Sequence, residues 1–279
     1  MEEIIKNVES YRQRIMNRFS LQALMAGGFG VVLIALSQAG MVAGLVFFGL
    51  AMIYAYNSNQ FTKFAKDKLY HEISKSKDDV TIKQGGFDKG TVRSSKMLKR
   101  GDSFTSRDMI RIKNDQADVR SAYVKITETR GSGKNRRTYT LFKGTYLVFL
   151  FDHKIDGRHH IEESSSIFFK GRGDFRFEDQ AFMDKFSVNS DDDLELFKLL
   201  TPRVIELLKD IERSHPGKIQ FCFFYNQLHV SIYDNKDPLS MSLFTKIDSG
   251  LVGSILQEIQ DLERFVEETQ EINDKFMAV

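Results

Sequence analysis

The stretch Leu21–Tyr56, LQALMAGGFGVVLIALSQAGMVAGLVFFGLAMIYAY, holds no charged residue, and its reading sets the expected architecture. The charge-free window is wider still, opening after Arg18 and closing before Lys63. As one helix, Leu21–Tyr56 would measure about 54 Å at ~1.5 Å per residue, against a bilayer core of about 30 Å. The mild interruption at Ser37, Gln38, Ala39 and Gly40 divides it into two halves. A tight helical hairpin satisfies every backbone group within the segment, as lipid demands. The small residues Ala26, Gly27, Gly28, Gly30, Ala39, Gly40, Ala43 and Gly44 let two helices approach closely. The expectation is therefore a transmembrane hairpin over residues 20–57. Lys6, Arg12, Arg14 and Arg18 precede it and Lys63, Lys66 and Lys68 follow, with none in its turn. This asymmetry predicts that both termini lie in the cytoplasm.

Working outward, residues 1–19 carry Ile4, Val8, Tyr11, Ile15 and Phe19 at helical spacing, an amphipathic cytoplasmic helix. Residues 58–103 read as a connector: helix to about residue 76, then a polar, glycine-containing loop. Residues 104–279 read as a cytoplasmic α+β domain with an antiparallel sheet and packed helices. Its first hairpin pairs 117–129 with 138–151 around the turn composition GSGKNRR at 131–137. Short strands are expected near Ile167–Phe169, Phe175–Phe177 and Phe186–Val188. Asp191–Asp193 suit a helix N-terminus, and Thr201-Pro202 an N-cap followed by a first helical residue. Lys218–Phe224 and Gln227–Tyr233 read as a second hairpin turning at Asn226. The last helix, about Gly250 to Phe276, has a short heptad seam of Val252, Ile255, Ile259, Leu262, Val266 and Thr269.

Composition narrows the function classes. With 40 Lys and Arg against 38 Asp and Glu, the net charge of +2 gives no basic surplus, and no nucleic-acid partner is expected. The single Cys222 excludes an intrachain disulfide. Lys134, Arg136 and Arg137 at the hairpin tip, and Lys96, Lys99 and Arg100 in the connector, are the candidate contacts for anionic lipid or a partner. Catalytic signals are weak. Gly131-Ser132-Gly133-Lys134 lacks the earlier glycine of a phosphate loop (Glu128 stands there), and Asn135 replaces its hydroxyl residue. His159 and His160 are adjacent, so an extended chain points them apart, which disfavours a shared metal. Cys222 sits mid-strand between Phe221 and Phe223, the setting of an inert thiol. No cofactor, metal or catalytic residue is assigned.

The order Phe142-Lys143-Gly144, Phe186-Ser-Val-Asn-Ser-Asp-Asp-Asp-Leu-Glu195 and Leu199-Leu-Thr-Pro202, followed by a helix and strands to Ile232, resembles a bacterial family known as domain of unknown function 3137. The resemblance implies a two-span membrane hairpin, an inner-membrane location and gene neighbours encoding LemA-type membrane proteins. It implies no activity and no catalytic residue. The family commonly places Glu-Ala-Arg-Tyr before Leu-Thr-Pro, whereas Glu195, Leu196, Phe197 and Lys198 stand here, so no role of that arginine carries over. The leading expectation is a membrane-anchored interaction or scaffold protein, with a protein partner or a second copy bound. A lipid- or ligand-binding sensor resembling a pleckstrin-homology module is the alternative, and an unrecognised enzyme the third reading.

Overall fold

A computed structural model describes residues 1–36, 40–114, 117–163, 175 and 177–277, and of these the side chains of 27–36, 40–44, 268 and 270–277 are left aside. The chain divides into two compact units, Met1–Ser76 with Leu239–Leu256, and Lys77–Pro238 with Gln257–Val279.

The first unit is built on two long helices, α1 (Glu2–Leu36) and α2 (Gly40–Ser76). They run antiparallel. Tyr11 meets Phe64 at 4.0 Å between ring centroids, Phe19 meets Tyr54 at 5.7 Å, and Asn57 Nδ2 donates to Gln22 Oε1 at 3.0 Å. Residues 239–256 close on this pair. Arg12 donates to the Leu243 carbonyl at 2.9 Å, and Glu9 accepts from the Ile247 amide at 3.0 Å. The hydrogen bond from Arg12 holds the Glu9 carboxyl down at about 2.

The hairpin is present, but the expected membrane crossing is overturned. Among the described residues, no helix is long and apolar enough to cross a membrane. At the outer end of the apolar run α2 turns polar at Asn57, Ser58, Asn59 and Gln60, and α1 carries Gln22 and then Arg18 at its corresponding level. The interruption at Ser37–Ala39 lies outside the described residues, as do the side chains of Gly27, Gly28, Gly30, Gly40, Ala43 and Gly44.

The second unit is a six-stranded antiparallel sheet. Its strands are β1 (Val80–Gly85), β2 (Ser103–Lys113), β3 (Asp118–Arg130), β4 (Arg137–Glu163), β5 (Phe186–Ser190) and β6 (Lys218–Tyr233). The order is β1-β2-β3-β4-β5, with β6 also pairing β4. Strand β4 pairs with β3 along its first half, with β5 along its last residues, and with β6 from Thr145 to Glu162. The expected hairpin of 117–129 with 138–151 is thus observed, but the expected hairpin at Asn226 is not. Residues 218–233 form one strand that continues through a bulge, where Tyr225 takes φ +56°. Two breaks in register, after Leu150 and after Ile155, let β4 bend while staying paired to the same neighbour. Gly157, at φ +78°, sits in the bend, where a Cβ would meet Asp191 Oδ1 at 2.8 Å.

Alternation along the strands gives two faces. One is mainly apolar: Val80, Ile82, Ile110, Ile112, Leu147, Phe149, Ile161, Val188, Phe221, Phe223, Leu228, Val230 and Ile232 are all buried, with the buried His159 and with Ser121 among them. It carries α4 (Gln180–Lys185), α5 (Asp193–Leu199), α6 (Pro202–Ser214) and the later turns of α7 (Ser249–Met277). Phe182 packs on Phe186, which packs on Phe221, with centroids 5.1 and 6.2 Å apart. The caps follow the sequence reading. Asp192 accepts from the Glu195 amide at 3.0 Å, and Thr201 accepts from the Val204 amide at 3.4 Å ahead of Pro202. Each such cap contributes about 1 kcal/mol. The heptad seam of α7 is buried at every position from Val252 to Thr269, so the chain itself covers it.

The other face is covered by a segment the sequence reading took for loop. After β1, residues 86–98 cross the sheet as a strap containing α3 (Lys89–Ser94), capped by Asp88. Phe87 and Val92 pack on Met109, Ala122, Val124, Ile126, Phe142, Tyr146 and Val148. Of the other expected strands, Phe186–Val188 is β5, Ile167–Phe169 lies outside the described residues, and Phe175 and Phe177 are in no strand.

On α7, burial raises the Glu258 carboxyl to about 7, with Asp261 and Asp234 adding to the effect. A folded value above the unfolded one means that the folded state holds this proton more tightly. The stability it contributes is complete below about pH 4.5 and lost as pH rises through about 7. Glu258→Gln is expected to gain about 1–3 kcal/mol over wild type at pH 8 and almost nothing at pH 4. Urea unfolding at the two pH values checks this, and an equal shift at both would refute the assignment.

Candidate functional site

The strap is pinned to the sheet by polar groups that its fold brings together from distant parts of the chain. Register places Val148 opposite His229, Tyr146 opposite Ser231 and His160 opposite Cys222, all on the strap-covered face. The Tyr146 hydroxyl lies 2.8 Å from His229 Nδ1 and 2.9 Å from Ser95 Oγ on the strap. His229 Nε2 lies 2.7 Å from Gln227 Oε1, which can only accept. His229 therefore carries its proton on Nε2, and Nδ1 accepts from Tyr146. The Cys222 thiol donates to the Ser95 carbonyl at 3.4 Å and lies 3.8 Å from His160 Nε2. Ser95, fully buried, thus ties the strap down through both its hydroxyl and its carbonyl.

Burial controls the ionisation of this seam. It lowers His229 to about 4, with the positive charges of Arg120 and Arg158 adding to the effect. It pushes the Cys222 thiol up to about 12 and raises the Tyr146 phenol, whose hydrogen bond to Ser95 offsets part of the rise. His160 is lowered too, by burial first and then by Arg158. A thiol at about 12 with no exposure is no nucleophile at neutral pH. The Cys–His proximity is structural, holding the strap.

Beyond Ser95 the chain turns through Lys96, at φ +59°. Lys96 lines a cavity of about 270 Å³ with His160, Glu162, Asn189 and Gln220. Glu162 there accepts from Lys218 and Gln220, each at 3.0 Å. A second cavity, about 460 Å³, lies along Leu98, Lys99, Leu141 and Tyr233. A third, about 290 Å³, opens at the start of the strap between Lys83, Asp88, Arg111 and Arg120.

The six basic residues singled out in the sequence separate into three settings. Lys99 and Arg100 precede β2, at the end of the sheet where the Thr129 amide donates to Asp102 at 2.7 Å. Lys134, Arg136 and Arg137 lie farther out on the β3–β4 tip, fully solvated around a short 3-10 turn at Gly133–Asn135. That turn is the geometry of residues 131–135, where a phosphate loop was weighed. Lys96 lines the first cavity and Lys99 the second. His159 and His160 point to opposite faces: His159 Nδ1 meets Ser190 Oγ at 2.8 Å and its Nε2 the Asp156 carbonyl at 2.9 Å, while His160 meets Cys222. Among the described residues no three His, Cys, Asp or Glu side chains converge as metal ligands.

The helical unit offers a surface of the opposite kind. Leu21, Leu24 and Met25 on α1 and Leu45, Phe47, Phe48, Met52 and Tyr56 on α2 are each more than half exposed, Leu24 at 75% and Phe47 at 73%. Single exposed apolar residues are ordinary, whereas a band of large ones on two adjacent helices is a contiguous apolar surface.

Residues 140–271 match the family model described as "Protein of unknown function (DUF3137)", the family that the motifs at 142–144 and 186–202 resemble. No curated protein and no solved structure matches the chain.

Two outcomes test the seam. Because burial holds His229 below its ordinary value of 6.5, its contribution to stability is full above about pH 6.5 and lost as pH falls through about 4. His229→Gln is expected to flatten the loss of urea midpoint between about pH 7 and pH 4, by about 1–3 kcal/mol. An unchanged slope would remove His229 as its source. Cys222 is expected to resist iodoacetamide in the folded chain at neutral pH and to react fully in denaturant, read by intact mass; rapid native labelling would contradict its burial.

Proposed function

We propose that the chain is a non-catalytic interaction protein of a membrane surface, held there by the apolar band of α1 and α2 and presenting its sheet domain to a partner. The carrying observation is that band: Leu24, Met25, Leu45, Phe47, Phe48 and Met52 lie exposed on adjacent helices. Transfer of such side chains out of water contributes about 1.5–3 kcal/mol each when complete. Helices of this kind lie in the boundary between headgroups and acyl chains without crossing. The exposed Arg14 and Arg18 on α1 and Lys63 and Lys68 on α2 follow the band at the same end of the antiparallel pair, where anionic headgroups would meet them. An inner-membrane location and a membrane-protein partner of the LemA type belong to this reading.

Flotation of the full chain with phosphatidylglycerol-containing vesicles tests it. Wild type is expected to float, and Phe47→Glu with Phe48→Glu to lower the floating fraction by about tenfold or more, since two apolar anchors become charges. Equal flotation of the two proteins would overturn the reading. So would a wild type that stays at the bottom and scatters light as a dimer which the double variant dissolves, because a second copy would then be what covers the band.

A further inference from the structure

The cleft at the start of the strap has a charge arrangement that the protein's own groups leave incomplete. Arg111 on β2 and Arg120 on β3 are direct cross-strand partners, on the same face as Thr81 of β1. Like charges placed directly opposite destabilise a sheet unless something neutralises them. Asp118 neutralises one, accepting from Arg111 Nε at 2.9 Å and from its terminal nitrogen at 2.5 Å. Arg120 has no ion pair among the described residues, and its Nε is buried without a hydrogen-bond partner. A buried donor left unsatisfied costs about 1–3 kcal/mol, more when it carries charge. Lys83 lines the same cleft, two residues from Thr81, and also lacks an ion pair among the described residues. The carboxylate of the cleft, Asp88, is occupied from within: its oxygens accept from the Thr91 amide at 2.8 Å and from the Thr91 hydroxyl at 2.5 Å.

We propose that this cleft of about 290 Å³ binds a small phosphate-bearing anion, held by Arg120 and Lys83 with Arg111 at its edge. The volume suits a phosphoryl group with a short organic substituent. A guanidinium offers paired donors in a plane and the ammonium a mobile point charge, a set that matches a tetrahedral dianion with several acceptors better than a single planar carboxylate. Arg111, committed to Asp118, adds field and not hydrogen bonds. The proposal is independent of how the helical unit meets lipid, because every residue it uses lies in the sheet domain.

The test is calorimetric titration of the full chain with inorganic phosphate at low ionic strength. Saturable binding is expected, weakened about tenfold or more in Arg120→Gln and several-fold in Lys83→Gln. Phosphate is likewise expected to raise the unfolding temperature of wild type and not of Arg120→Gln. Lys83 is exposed, so its variant keeps the comparison intact should Arg120→Gln fail to fold. Absence of saturable heat with wild type, or titrations of the variants matching it, overturns the proposal. Two further arms separate the sources of the phosphoryl group. Displacement of bound phosphate by phosphatidic-acid vesicles, with phosphatidylcholine vesicles as the blank, assigns it to a lipid headgroup. Displacement by soluble glycerol phosphate alone assigns it to a free small molecule.

Discussion

Strand β4 hydrogen-bonds to β3, β5 and β6, and the rest of the sheet domain depends on how it bends without losing those partners. A straight strand of its length would leave the sheet it began in. The register breaks after Leu150 and Ile155 take up extra residues on β4 alone, and opposite them Tyr225 of β6 takes a positive φ. Bulges add local twist, so the second half of β4 can carry β5 on the same edge along which its first half carries β3, while β6 keeps the other edge throughout. Gly157 is required at the bend because its positive φ comes with Asp191 already against it, and the Arg158 amide donates to that same carboxylate. The approach of β6 to β4 is just as close at Gly144, where a Cβ would strike the Ile232 carbonyl.

What was legible in the sequence follows the range of the chemistry that encodes it. Asp192 and Thr201 act on amides three residues away, and both caps stand where the sequence put them. The alternation of Leu228, Val230 and Ile232 with His229 and Ser231 is a property of one strand, and both faces came out as read. The turn at Asn226 failed because turn residues also serve bulges. The deciding factor, the length of β6's partner, lies some 70 residues upstream. The strap failed for a similar reason. Val80 and Ile82 alternate with Thr81 and Lys83, but over too few residues to outweigh the glycines around them, and Phe87, Val92 and Ser95 gain meaning only from the sheet beneath. No periodicity could have paired His160 with Cys222, or Tyr146 with Ser95, since those contacts depend on register and on the strap's path.

The transmembrane reading went wrong differently. A long uncharged stretch states that apolar surface exists; it does not state how thick a layer that surface fits. The helices are longer than the apolar run, and they carry polar side chains such as Gln22 and Asn57, hydrogen-bonded to each other, into its edge. What persists is the band of exposed side chains. The contrast with α7 is informative. Its seam has the same kinds of residues at regular spacing, yet every one of them from Val252 to Thr269 is buried within the chain. Apolar periodicity thus has an internal partner in α7, whereas on α1 and α2 the apolar band still faces outward.

Charge on the strap-covered face ties its parts together. One row crosses the sheet through Thr81, Arg111, Arg120, Val148 and His229. Arg120 is among the groups that depress His229, and Arg158, stacked 4.5 Å over Phe224, presses on it from the other side. A neutral His229 is what lets Nδ1 accept from Tyr146, and Tyr146 in turn holds Ser95 and with it the strap. The unpaired guanidinium that burdens the sheet at one end of the row therefore serves it at the other, by keeping a buried imidazole in the state its hydrogen bonds need. The same segment, 86–98, forms one wall of the cleft at Arg120 and contains the serine that Tyr146 holds, so the fixing of the strap and the shape of the cleft are set by one continuous run of backbone.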